Sequence, residues 1–127
     1  MSAPARSLFV FGLYAVVAGL GLVLTPAFVL SLLQFPPAAD GWVRVAGVLA
    51  ITVGAYHIVA ARNELLPYVR ATIPVRLGFA LGLAALVATA QMPIALLLLA
   101  AIDLVSALWT FLALREERGV RSAASAV

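Results

Sequence analysis

Apolar residues in this chain come in four long runs, separated by short stretches that carry prolines, polar residues and most of the charge. The first run extends from Leu8 to Leu33, the second from Trp42 to Ala61, the third from Ile73 to Ala90 and the fourth from Ile94 to Leu114. About 20 helical residues at 1.5 Å each cross a hydrocarbon core of about 30 Å, and every run approaches or exceeds that length. The pattern predicts an all-α fold: a four-helix transmembrane bundle forming one integral membrane domain over residues 1–127. The first run is overlong. Thr25-Pro26 either divides it into a spanning helix, Leu8–Leu24, and a short interfacial turn, Ala27–Phe35, or kinks it, because proline lacks the N–H a helix interior needs.

The connections fit this outline. Pro36-Pro37 through Asp40-Gly41 reads as a turn-rich loop. Arg62 to Thr72 is the most charged internal segment, and Thr72 is placed to cap the third helix, with Pro74 in its first turn. Gln91-Met92-Pro93 is short enough to make the third and fourth helices antiparallel neighbours. The tail from Arg115 onward is polar and expected to fray. Arg6 ahead of an apolar run resembles a signal peptide, but that run exceeds the 7–15 residues of such a core and no small-residue cleavage site closes it. The segment is read as a retained helix.

Composition strengthens the membrane reading. Hydrophobic residues make up 65% and charged residues 10%, where globular proteins average about 45–50% and about 25%. A soluble domain this small could not bury so much apolar surface. The net charge of +3 arises from arginine alone. These arginines flank the apolar runs instead of clustering on one face, so they point to membrane orientation and not to a nucleic-acid partner. The absence of cysteine excludes disulfides, thiolate metal sites and cysteine nucleophiles.

Ionisable groups inside the apolar runs are the candidate chemistry. Asp103 lies about midway along the fourth run, near the bilayer midplane, where an acid costs about 2.5–3.5 kcal/mol and should face protein or water. Ser106, Ala107 and Thr110 follow it at spacings of three and four, on one helix face. Buried without a cation, such an acid keeps its proton near neutral pH; a guanidinium within about 4–6 Å would hold it ionised. Arg76 is the better candidate partner and Arg44 the other, although both are also placed to snorkel to the headgroups. His57, beside Tyr56, is the only histidine and fits either a packed, hydrogen-bonded role or a chemical one. One histidine and no cysteine supply no usual metal set, so neither metal nor cofactor is expected. No phosphate-cradling GxxxxGK[ST], GxSxG elbow or HExxH motif is present. Small residues mark expected helix contacts: Gly78 and Gly82 as a GxxxG motif, Ala15 with Gly19, and Gly47 with Gly54.

The order of Arg6 with Gly12 and Tyr14, Thr25-Pro26, Trp42 to Gly47, Ala60-Ala61-Arg62, Arg76 and Asp103 resembles small uncharacterised four-helix bacterial inner-membrane proteins, DoxX-like in general look. The resemblance implies a multi-pass location in the cell inner membrane and carries over no functional residue. Three functions are open. The favoured one is a non-enzymatic accessory or apolar-ligand-binding module, alone, as a homo-oligomer or in a larger membrane complex. The second is a small oligomeric proton-coupled transporter using Asp103. The third is a lipid- or quinone-modifying enzyme using His57, Tyr56 and Asp103.

Arginine placement also predicts topology. Arg6, Arg62, Arg70, Arg76, Arg115, Arg118 and Arg121 fall on one side and only Arg44 on the other, which puts both termini in the cytoplasm, N-in/C-in. Trp42, Tyr68 and Trp109 lie near the expected interfaces, as belt aromatics do. A C-terminal fusion should therefore be active with a cytoplasmic reporter. Activity of a periplasm-dependent reporter at that position would overturn the assignment.

Overall fold

A backbone in lipid must satisfy its own N–H and C=O groups, and a helix does so within one segment. The computed structural model, which describes residues 1–37 and 41–127, follows that constraint and contains no strand among those residues. Helix α1 spans Ala3–Leu24, α2 Pro26–Leu32, α3 Trp42–Arg62 and α4 Leu66–Ala88; a 3₁₀ turn, Ile94–Leu96, leads into α5, Leu97–Ser125. Helices α1, α3, α4 and the continuous Ile94–Ser125 segment are each long and apolar enough to cross a membrane. Ala38, Ala39 and Asp40, in the loop expected before Gly41, lie outside the described residues.

Local chemistry sets the ends. Ser2 caps α1, its Oγ accepting from the Ala5 N–H at 3.3 Å, with proline in the first turn. Helix α1 stops at Thr25, and Pro26 opens α2. Helices α2, α3 and α4 each end with a residue in the left-handed region, Gln34, Glu64 and Ala90. The following N–H then reaches back to Leu30, Ala60 and Leu86 carbonyls at 2.8, 3.0 and 3.0 Å. This motif usually takes glycine. At Glu64 the strained backbone is tied down from outside, because its carboxylate accepts from the Ser2 N–H and the Ser2 hydroxyl, both at 2.6 Å. Those bonds hold the Glu64 carboxyl below its usual range and link the start of α1 to the α3–α4 turn.

Three boundaries differ from the sequence expectation, the first being the start of α1 at Ala3 and not Leu8. Helix α4 starts at Leu66, not Ile73, because Pro67 suits a first helical turn and sets the start earlier. Thr72 therefore caps nothing. It is buried inside α4, where its hydroxyl donates to the Val69 carbonyl at 2.7 Å, and Pro74 sits within the helix. The tail is helical to Ser125, with Arg121 donating to Glu117 one turn earlier at 2.9 Å.

Helix α1 packs chiefly on α3 and α4 on α5; α1 also meets α5, whereas α3 and α4 touch sparingly. The α1–α3 seam is a backbone contact. A Cβ built on Gly12 would lie 2.9 Å from the Gly54 carbonyl oxygen, and one on Gly54 would lie 2.7 Å from that of Gly12. Gly19 and Gly47 repeat the arrangement, at 2.5 and 2.7 Å. The antiparallel pairs are seven residues apart on each helix, so α1 uses Gly12 and Gly19; Ala15 is half-buried between them.

Gly78 and Gly82 make no such contact. Both are exposed, and a Cβ at either meets nothing within 4 Å. Helix α4 buries Val69, Thr72, Arg76 and Ala80, and positions two residues on from Arg76 and Ala80 turn about 200° away. The α4–α5 contact runs instead through the face holding Asp103, Ala107 and Thr110. Where the start of α1, the end of α3, the start of α4 and the later part of α5 meet, Ala5, Leu8, Ala60, Ala61, Val69 and Leu114 form the apolar core.

Gly12→Ala or Gly54→Ala should lower stability by about 1–3 kcal/mol, since carbonyl oxygens must retreat. Gly78→Ala and Gly82→Ala should be neutral or slightly stabilising, because alanine is the better helix former by roughly 1 kcal/mol. Thermal unfolding of the purified variants in detergent checks this; equal effects at the two sets of glycines would refute the packing assignment.

Candidate polar site inside the bundle

Four helices contribute to one buried polar cluster. Helix α4 places Arg76 on its inward face, four residues after Thr72, and leaves the residue 4% exposed. Helix α1 offers Ser7 and Phe11 at a spacing of four, hence on one face. Helix α5 offers Asp103, Ala107 and Thr110, and α3 offers His57.

Thr110 is the junction. Its hydroxyl donates to the Ser106 carbonyl at 3.0 Å, which leaves oxygen lone pairs for two donors. Arg76 Nη2 fills one at 2.9 Å and Ser7 Oγ the other, also at 2.9 Å. The single Ser7 proton is shared with the Pro4 carbonyl, 2.8 Å away. The Arg76 guanidinium lies 4.4 Å from the centre of the Phe11 ring, a cation–π arrangement that strengthens when desolvated. Phe11 in turn stands 5.6 Å from the His57 ring, and His57 Nδ1 shares a hydrogen bond of 2.9 Å with the Tyr68 hydroxyl.

This network leaves the cation incompletely satisfied. A guanidinium has five N–H donors, yet Arg76 Nε and Nη1 are buried with no partner among the described residues. Each buried unpaired donor costs about 1–3 kcal/mol, more on a charged group. Asp103 does not supply the missing acceptor. It is 5% exposed, but no ion pair within 4 Å joins it to Arg76 among the described residues. Arg76 engages Thr110, seven residues further along α5, or about 10 Å by helical rise. Tyr14, half-buried on α1, stands with its ring 5.8 Å from that of Phe11.

The expected partnerships resolve as follows. Arg76 enters the site but is held by Thr110 and Phe11 instead of Asp103. Arg44 does not reach the site: it is exposed and donates from Nη1 to the Val23 carbonyl at 2.7 Å, at the end of α1, where a cation suits the helix dipole. Ser106 is half-buried and donates to the Asp103 carbonyl at 3.0 Å, not to its carboxyl. Tyr56 is 64% exposed and points away, while its neighbour His57 is buried. Tyr68, expected in an interfacial belt, turns inward to His57; Trp42 and Trp109 are exposed. Sequence reasoning left Ser7, Phe11 and Tyr14 out of the site. The four-residue spacing of Ser7 and Phe11 was legible, but nothing in it indicated that α1 would face both α4 and α5.

Thr110→Val keeps the side-chain shape and removes the acceptor of the Arg76 hydrogen bond. It should destabilise the bundle by about 2 kcal/mol, and combined with Arg76→Met the losses should fall short of additive. Unchanged unfolding in Thr110→Val, or strict additivity, would remove Thr110 from its central place.

The chain matches no family model, no curated protein and no solved structure.

Proposed function

We propose that this chain is a bacterial inner-membrane protein with both termini in the cytoplasm, acting as a non-enzymatic module that holds an apolar ligand by an oxygen-bearing head group. The observation that carries this reading is the pair of unpartnered donors, Nε and Nη1, on a guanidinium that is almost fully buried. A carboxylate or carbonyl oxygen arriving from the membrane would accept from either one, since each shares an edge of the guanidinium with Nη2 and the charge favours an oxygen acceptor. The Phe11 ring beside the cation offers an apolar surface to a hydrocarbon body. The DoxX-like order of motifs agrees with the location and adds no activity.

Catalysis has less support. His57 is engaged with Tyr68, and Tyr56 points outward, so the three groups of the enzyme reading do not converge. Proton-coupled transport retains one specific observation: Asp103 is a buried acid with no cation within ion-pair distance among the described residues. An intramembrane acid so placed can take up and release a proton.

Oleic acid and methyl oleate are suitable probes, sharing the chain and differing in head group. Oleic acid should raise the melting temperature of the detergent-solubilised protein, and saturation to about 100 times Kd corresponds to about 2.7 kcal/mol. Methyl oleate should do so less, and Arg76→Gln should abolish the difference. An equal rise in Arg76→Gln would defeat the binding reading. If proton uptake into proteoliposomes disappears in Asp103→Asn and survives in Arg76→Gln, transport replaces it.

A further inference from the structure

A second feature lies outside the buried cluster, between the start of α4 and the later part of α5. A cleft of about 220 Å³ opens there, rimmed by Arg70, Arg115 and Arg118. Its floor is apolar: Ile73 and Pro74 from α4, Phe111 and Leu114 from α5. The sequence spacing explains the shape. Positions 70, 73 and 74 fall on one face of α4, and positions 111, 114, 115 and 118 on one face of α5, so two ridges flank a groove. Along α5 the groove changes character at Leu114–Arg115, where the apolar run ends and the charged segment begins. One end is basic and the other is hydrocarbon.

The basic end is prepared and uncompensated. The Arg115 guanidinium lies 5.7 Å from the Phe111 ring centre, which stations the charge over the cleft floor. Glu117 is taken by Arg121 at 2.9 Å, and Glu116 forms no ion pair within 4 Å among the described residues. Arg70, Arg115 and Arg118 have no ion pair within 4 Å among the described residues, and all three are exposed. The helical course of α5 past Leu114 is what sets Arg115 and Arg118 one turn apart on the same side.

We propose that this cleft is a binding site for an anionic phospholipid, with the phosphate between Arg70 and Arg115 and the acyl chains along Ile73, Pro74 and Phe111. The charge complements a phosphate, and guanidinium groups from two helices can clamp one from both sides. The apolar floor continues into the lipid-facing surface, so the molecule that fits is amphipathic in the same order as the cleft. Arg76 has no part in this site, and the proposal stands or falls separately from ligand binding at the buried cluster.

Native mass spectrometry of the purified full chain, titrated with phosphatidylglycerol or phosphatidylcholine of the same acyl composition, tests it. The wild type should retain phosphatidylglycerol preferentially. Arg70→Gln with Arg115→Gln should weaken that retention by roughly 10- to 30-fold, as expected for two interfacial arginines. Arg6→Gln with Arg62→Gln removes the same charge from exposed positions outside the cleft and should leave retention near wild type. Arg118→Gln alone should give a smaller loss, and reads the same site if the double variant does not fold. Equal retention of both lipids, or equal loss in the control pair, would overturn the proposal. So would displacement of the lipid by millimolar inorganic phosphate, since the acyl contacts would then contribute nothing.

Discussion

Lipid tails are as apolar as leucine, so helices in a membrane associate through close packing and polar contacts and not through burial from water. In this bundle the closest packing is the meeting of α1 and α3 backbones at Gly12 with Gly54 and Gly19 with Gly47. Much else follows from that approach. Phe11 adjoins Gly12, and His57 lies within a turn of Gly54, so the glycine contact brings the two rings to 5.6 Å. Phe11 then becomes the platform under Arg76, and the α1–α3 pair is coupled to α4. Ser7, one turn before Phe11, completes the link by bonding to Thr110 on α5. A side chain at any of these glycines would spread the seam and loosen every later contact in that sequence.

The buried cation is the least balanced element in the fold. Its neighbours give one hydrogen bond and one aromatic face, while Nε and Nη1 remain without acceptors. Asp103 lies on the same helix face as Thr110 but forms no ion pair with Arg76 among the described residues. Keeping an acid and a cation apart inside a low-dielectric bundle is costly.

The two ends of the bundle differ. Where the start of α1 meets the α3–α4 turn, Glu64 grips Ser2 and the small apolar core closes the packing. The basic cleft of Arg70, Arg115 and Arg118 belongs to that end. Further along, α4 buries nothing beyond Ala80, and α3 buries only Gly47 before Gly54. The polar cluster sits beside the apolar core, with α3 and α4 in sparse contact.

The sequence by itself determined the class of the fold, because four runs of sufficient apolar length have few other ways to satisfy their backbones. It also marked Asp103 and Arg76, since charged residues within such runs are conspicuous by their cost. Boundaries were less legible: a proline at position 67 and the Glu117–Arg121 pair accompany the extension of two helices into segments whose polarity suggested loop and tail. Partnership was decided by the tertiary structure alone. Gly78-x-x-x-Gly82 and the seven-residue glycine spacings carry equal weight as patterns, yet only the latter face another helix, because the rotation of α4 is set by where Arg76 can be buried. For the same reason the acceptor for Arg76 was not the obvious acid but Thr110. Helical rise fixes the depth of each residue, whereas the register between helices, which brings two depths together, arises only from packing.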